Sequence, residues 1–305
     1  MLTFCVVVVL ALIADHVFGE PPVRWHPVVW LGNLAQRVES ELRDSADTAS
    51  AQRNAGVLAL LAVVLVALLP VLVLGALLPD VVIAVAVLTL AIGRRSLAEH
   101  ARAVATPLAQ SDLETSRAEL AKIVSRDTAA LEETEIAAAT VESVLENGAD
   151  AVFAALFWAA VLGPVGAVMY RAANTLDAMW GYRNDRYTHF GWAAARFDDL
   201  LNWVPARLTA LTYLAIGRSR SAWRAWQSHD WYSGNAGAVM ASGAGALGLQ
   251  LGGDTPYGGV IKSRPTLGHG REPRAGDIER AVALVDRGVV LWVLCLGFAA
   301  LGTLL

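Results

Sequence analysis

Three carboxylates, Glu142, Glu146 and Asp150, recur at four-residue intervals ahead of an apolar segment, a spacing that lines one face of a helix. Like charges at i, i+4 repel mildly. A compensating Mg²⁺ held by Glu142, Glu146 and Asp150, with Asn147 beside them, is therefore one expectation; a solvated face on an acidic helix is the plainer one. A second cluster runs from Asn174 through Asp177, Tyr182, Arg183 and Tyr187 to Arg196, Asp198 and Asp199. Arginine forks suit phosphate, and paired carboxylates suit a Mg²⁺ that bridges phosphate oxygens. Asp198 and Asn202 share a face if Asp198 opens the next helix. Arg207 lies inside an apolar run, where a charge is a functional hypothesis by default. The plainer reading of this cluster is a membrane-interface loop with Trp and Tyr as an aromatic belt. A third set, Asp15, Glu20, Arg24 and His26, sits on a path stiffened by Pro21, Pro22 and Pro27.

What must position these residues is a membrane protein. The chain has 305 residues, 55% apolar and 17% charged, against about 25% charged in soluble domains. Long Val/Leu/Ala runs exclude disorder. With 24 basic and 28 acidic residues and no basic stripe, nucleic-acid binding is excluded as well. Cys5 and Cys295 stand alone in apolar stretches and offer neither a disulfide framework nor a thiolate metal site.

Apolar segments at 1–17, 55–78, 81–93, 149–170, 200–217, 234–253 and 288–305 read as membrane helices. The first lacks the basic start and small-residue cleavage site of a signal peptide and reads as retained. Pro70 is tolerated within its span, and Pro79-Asp80 turns the chain between the second and third. The polar stretches are 15–54, 94–148, 171–199 and 254–287, and no useful β alternation occurs. The expectation is one all-α, polytopic membrane domain over 1–305, with a largely helical cytoplasmic insertion at 94–148. Each polar stretch carries at least four Lys/Arg and the Pro79-Asp80 turn none, which puts all four stretches in the cytoplasm. A straight crossing by 149–170 would break that pattern. The segment is therefore expected to be re-entrant at Gly163-Pro164-Val165-Gly166, with 200–217 and 234–253 paired or partly buried. Gly243-Ala-Gly245-Ala-Leu-Gly248 matches a dinucleotide fingerprint but lacks its βαβ setting. Gly237, Ala241 and Gly245 instead suit close helix approach. No Walker loop is present, so any ATP binds without one.

The stretch 15–30, Gly93-Arg94-Arg95-Ser96-Leu97, Ile123-Val124-Ser125-Arg126-Asp127-Thr128, 142–150, 174–207, 235–253 with Tyr257, and Asp277-Ile278 together resemble the adenosylcobinamide-phosphate synthase (cobinamide synthase) family. The resemblance covers nearly the whole chain in the family's order. It departs at Gly234, where the family has proline, and at Gly148-Ala149-Asp150, where it has Val/Thr-Val-Asp. It implies an ATP- and Mg²⁺-dependent ligase that joins adenosylcobyric acid, a corrinoid, to (R)-1-amino-2-propanol or its O-phosphate through an acyl phosphate.

Residue chemistry, rather than the family pattern, distributes the roles. Catalytic candidates are Glu142, Glu146, Asn147, Asp150, Asp198 and Asp199. Substrate- and phosphate-binding candidates are Asp15, Arg24, His26, Arg126, Asn174, Asp177, Tyr182, Arg183, Tyr187, Arg196, Asn202, Arg207 and Asn235. The expected setting is the cell membrane, multi-pass in the bilayer, with the active site facing the cytoplasm. Self-association, or association with other membrane enzymes of cobalamin assembly, is a further expectation. A transporter of a small polar or corrinoid solute is the rival, since broken helices and an intramembrane arginine would serve it too.

Overall fold

The computed structural model describes residues 1–43, 48–182, 184–257 and 259–302. The chain divides into two compact units: Met1–Gly93 with Ala154–Trp203 and Ala300–Leu305, and Arg94–Phe153 with Val204–Ala299.

In the first unit, α1 (Leu2–Phe18), α2 (Pro27–Arg43), α3 (Ala49–Gly75), α4 (Asp80–Ala91) and α8 (Ala155–Trp180) are joined by the start of α9 (Trp192–Ile216). Thr48 caps α3 by accepting from the Ala51 N–H at 3.2 Å, and Pro70 lies within that helix without ending it. On α2 the apolar residues Leu31, Leu34, Ala35, Val38 and Leu42 recur at helical spacing. They pack with Ala55, Ala59 and Val63 of α3, Leu176 and Trp180 of α8, and Phe190. Gly56 is needed there, because a Cβ would lie 1.9 Å from the Phe190 carbonyl oxygen.

The break in α8 falls where expected. Gly163 has φ 64° and ψ −151°, a backbone conformation that side chains beyond glycine rarely adopt. A Cβ on Gly166 would lie 2.3 Å from the carbonyl oxygen of Trp158, whereas eight residues of straight helix separate two positions by about 12 Å. The chain therefore turns back on itself at this break. Gly163, Pro164 and Val165 border an apolar cavity of about 590 Å³, together with Val7, Leu72 and Leu88.

The second unit contains α5 (Arg94–Ala109), α6 (Leu113–Leu120), α7 (Glu133–Gly148), the rest of α9, α10 (Ser219–Ser228), α11 (Gly234–Leu247) and α12 (Ala275–Gly302). Four short strands lie between α11 and α12: β1 (Leu251–Gly252), β2 (Thr255–Tyr257), β3 (Val260–Lys262) and β4 (Thr266–Leu267). Two antiparallel ladders result, β1 with β4 (Leu251 opposite Leu267) and β2 with β3 (Pro256 opposite Ile261).

These strands correct the expected span at 234–253. Gly248, at φ 69° and ψ 41°, stops α11 after 14 residues, about 21 Å of helix. Gly237 to Leu247 is buried throughout. Gly245 admits the α10 backbone, with the Ala222 Cα 2.6 Å from where its Cβ would sit. The small residues thus bring helices together, as their spacing suggests.

Among the described residues, four stretches are long and apolar enough to cross a membrane: Ala49–Gly75, Asp80–Ala109, Glu133–Trp180 and Ala275–Gly302. The shorter apolar helix Leu2–Phe18 joins them. The protein is an all-α, multi-pass membrane protein. Neither the helix over 200–217 nor α11 is among these spans.

Candidate functional site

In the second unit the acidic face of α7 meets two arginines. Glu142 is buried, its side chain 3% exposed. Its Oε2 accepts from Arg126 at 2.7 Å and from Nη1 of Arg264 at 3.1 Å. Its Oε1 accepts from Nη2 of Arg264 at 3.1 Å and from the Gly252 N–H at 2.8 Å. Both oxygens are saturated, so the charge compensation foreseen for a metal comes from guanidinium groups. The donor set does not fit Mg²⁺ on Glu142, Glu146 and Asp150, and among the described residues no three His, Cys, Asp or Glu side chains gather as metal ligands. Glu146 is half-buried one turn on. Asn147 is exposed and donates to the Ser143 carbonyl at 2.9 Å. Asp150 lies beyond α7 in a π turn, Ala149–Ala154, where bonding is i→i+5.

Further along this unit, Nη1 of Arg207 donates to Oδ1 of Asn235 at 2.9 Å, which brings together two candidates from separate helices. Asn235 sits in the first turn of α11, whose cap Ser233 accepts from the Ala236 N–H at 3.2 Å.

The first unit holds the second polar cluster. Asp198, near the start of α9, is 9% exposed. Its Oδ2 accepts from Asn202 at 3.0 Å and its Oδ1 from Asn174 of α8 at 3.5 Å. Tyr170 donates its hydroxyl hydrogen to Oδ1 of Asn202 at 3.0 Å, and Arg171 reaches Oδ1 of Asn174 at 3.5 Å. Asp198 and Asn202 do share a helix face, one turn apart. Burial is the largest influence on the Asp198 carboxyl and outweighs the two amide donors, so its pKa rises to about 6. A buried carboxylate held by neutral amides, with a pKa just below neutrality, is suited to taking up a proton. Asp199 and Arg196 instead form an exposed pair at 3.5 Å.

No solved structure matches the chain. The family model described as CobD/Cbib protein matches residues 8–285. The chain belongs to the CobD/Cbib family. A Chromobacterium violaceum protein named cobalamin biosynthesis protein CobD is 54% identical over 296 residues, 93% of this chain and 92% of that protein. A Stutzerimonas stutzeri protein of the same name is 52% identical over 296 residues, 95% of this chain and 96% of its own length. One from Mycobacterium tuberculosis is 41% identical over 294 residues, 92% of this chain and 91% of its own.

The remaining candidates of this CobD/Cbib chain are dispersed in the first unit. Asp15 is buried in α1. His26 accepts from the Val28 N–H at 3.2 Å and lies 3.6 Å from Glu20, while Arg24 is exposed beside the Trp25 ring. Asp177 packs against Gly181, Tyr182 is exposed, and Arg183 lies outside the described residues. Tyr187 donates to Glu39 at 3.4 Å.

Three anchoring residues were not among the site candidates read from the sequence, although Asp277 lies in a segment that carries the resemblance. Arg264, just described, is one. Glu39 is buried and accepts from Trp180 at 3.1 Å and from Arg186 at 2.9 and 2.7 Å. Asp277 binds Arg271, the Arg274 N–H and Arg280. For Glu39 a signal exists: it is a charge inside the apolar stripe of α2.

Proposed function

We propose that this CobD/Cbib protein is an enzyme of cobalamin assembly, an ATP-dependent ligase that joins the free propionate of adenosylcobyric acid to the amine of (R)-1-amino-2-propanol or its O-phosphate. The product is adenosylcobinamide or its phosphate. The relatives' names support the pathway, and the sequence resemblance supports the reaction.

The single observation that carries the chemical step is Asp198, buried, bound by Asn174 and Asn202, and raised to about 6. A carboxylate is a poor acyl donor. Transfer of the γ-phosphoryl group of ATP to the propionate oxygen gives an acyl phosphate and ADP. The amine nitrogen then attacks the carbonyl carbon, the carbon–oxygen bond to phosphate breaks, and inorganic phosphate leaves. The nitrogen loses a proton in forming the amide, and Asp198 accepts it. Asn174 and Asn202 hold the carboxylate in place, with Tyr170 fixing the orientation of the Asn202 amide. Mg²⁺ would arrive with ATP as the counter-ion of its phosphates, without Glu142 as a ligand, because both Glu142 oxygens already accept from arginine.

The test is an assay of the full-length protein in detergent with adenosylcobyric acid, the amine or its phosphate, and MgATP. Corrinoid amide and ADP are expected in equal amounts. Failure to form amide with either amine, combined with corrinoid uptake by proteoliposomes, would replace the ligase with a transporter.

A further inference from the structure

Helix α10 holds Arg220, Trp223, Arg224 and Trp226 and no acidic residue. Its buried face is small: Ala222 and Ala225 pack inward, and Gly245 of α11 admits the backbone at Ala222. The helical period puts Arg220, Trp223, Arg224 and Gln227 on the opposite arc, and all four are exposed, Trp223 by 48%. At the margin of that arc Trp226 meets the Trp223 ring edge-on, 5.6 Å between centroids. Arg220 and Arg224 stand one turn apart, a spacing at which like charges repel. Among the described residues neither has an ion-pair partner, and the packed neighbour α11 carries no charged residue. The outward arc is a pair of uncompensated cations beside an exposed indole.

Contacts within the second unit fix the height of α10 against a membrane-capable helix. The Arg218 N–H donates to the Ala246 carbonyl at 3.1 Å, and Arg280 of α12 donates to the next carbonyl, that of Leu247, at 2.7 Å. The start of α10 therefore lies level with Arg280. Eight residues further on, Gly288 opens the uncharged run of α12, about 12 Å along the helix axis. From just outside that apolar run, long arginine side chains reach lipid headgroups. Tryptophan favours the same layer, its ring against acyl chains and its N–H among polar groups. An acidic protein would satisfy the arginines and leave the indole beside them without a reason. A bilayer satisfies both, and it is already present at this height.

We propose that α10 is an interfacial helix that binds anionic phospholipid, with Arg220 and Arg224 on headgroup phosphates and Trp223 at the boundary with the acyl chains. A zwitterionic headgroup brings its own cation and leaves the arginines uncompensated, so the helix selects for net negative lipid. The assignment is independent of the ligase reading, since no residue of α10 takes part in the step given to Asp198.

The test uses the full-length protein with Cys5→Ser, Cys295→Ser and Gln227→Cys, reconstituted in phosphatidylcholine nanodiscs. A fluorophore on residue 227 donates energy to a trace of acyl-labelled phosphatidylglycerol or, in a parallel sample, acyl-labelled phosphatidylcholine. The anionic acceptor should be enriched about tenfold or more around α10 at low salt, and 1 M salt should remove most of the difference. Arg220→Gln combined with Arg224→Gln, both at exposed positions, should make the two acceptors equal. A nitroxide on residue 227 should be reached by oxygen and by a water-soluble nickel complex in the ratio of the headgroup layer. Equal transfer to both acceptors in the wild type overturns the proposal, as does a preference that survives in the double variant. A nitroxide with fully aqueous accessibility also overturns it and leaves the arc to a protein partner. Should the double variant fail to fold, the wild-type acceptor comparison and the nitroxide decide.

Discussion

Asp198 and Glu142 are both buried carboxylates, and their partners set them to opposite tasks. Asp198 has amide donors only, so ionisation is costly: a carboxyl raised from 3.8 to about 6 destabilises the folded, ionised protein by about 3 kcal/mol. The raised value means that this cost is fully present above pH 6 and disappears as the pH falls towards 4. Asp198→Asn should therefore raise the melting temperature at pH 8 and lose that advantage at pH 4, while amide formation falls about a hundredfold or more. In the wild type, kcat should rise about tenfold per pH unit below pH 6 and level off above it. A flat profile through this range would remove Asp198 as the base. Glu142, in contrast, is held by two guanidinium groups. Glu142→Gln leaves buried cations uncompensated, with an expected loss of about 3–5 kcal/mol, read as a lowered melting temperature.

Among the elements, α2 shows how far a period can be read. Its apolar stripe is legible from Leu31 to Leu42, and Glu39 falls within it. A carboxylate on the buried face of an amphipathic helix announces buried donors elsewhere, though not which ones. Those donors are Trp180, Arg186 and Tyr187, so α2 anchors the segment that follows α8. Glu39→Ala strands the indole N–H of Trp180 at an expected cost of about 1–3 kcal/mol and releases Arg186. Limited trypsin digestion should then cut after Arg186 faster than in the wild type. Arg264 was not legible at all. It lies 122 residues from Glu142, beside strands of two and three residues, too short to show an alternation. The π turn that holds Asp150 was not legible for a related reason: it carries no periodic mark in a sequence of Ala, Val and Phe. Long helices, by comparison, were legible because lipid demands continuous apolar runs, and the break at Gly163 because Gly-Pro interrupts one.

At the scale of the whole molecule, the Lys/Arg count of each polar stretch and, in the proposed reaction, a cytoplasmic source of ATP call for one sidedness. Residues 110, 185 and 263 should face the cytoplasm and residue 77 the opposite side. Single cysteines replacing Gln110, Asp185, Ser263 and Leu77 in a cysteine-free background test this with a membrane-impermeant thiol reagent on intact cells. Only Leu77→Cys should be labelled; labelling of Asp185→Cys would overturn the orientation. The reversal at Gly163 also has a bearing on biogenesis. Before the break, the apolar stretch 149–162 is about 21 Å long, short of the roughly 30 Å of hydrocarbon, so a re-entrant course is expected of it. Such a hairpin cannot rest alone in lipid, because the backbone at its turn needs protein cover. Of the helices that pack on α8 within its unit, α2, α3 and α4 precede it in the chain, and only the start of α9, which bonds to it through Asp198 and Asn202, follows. A ribosome therefore delivers most of the receiving surface before the piece that needs it, and the N-to-C direction of synthesis doubles as an assembly schedule.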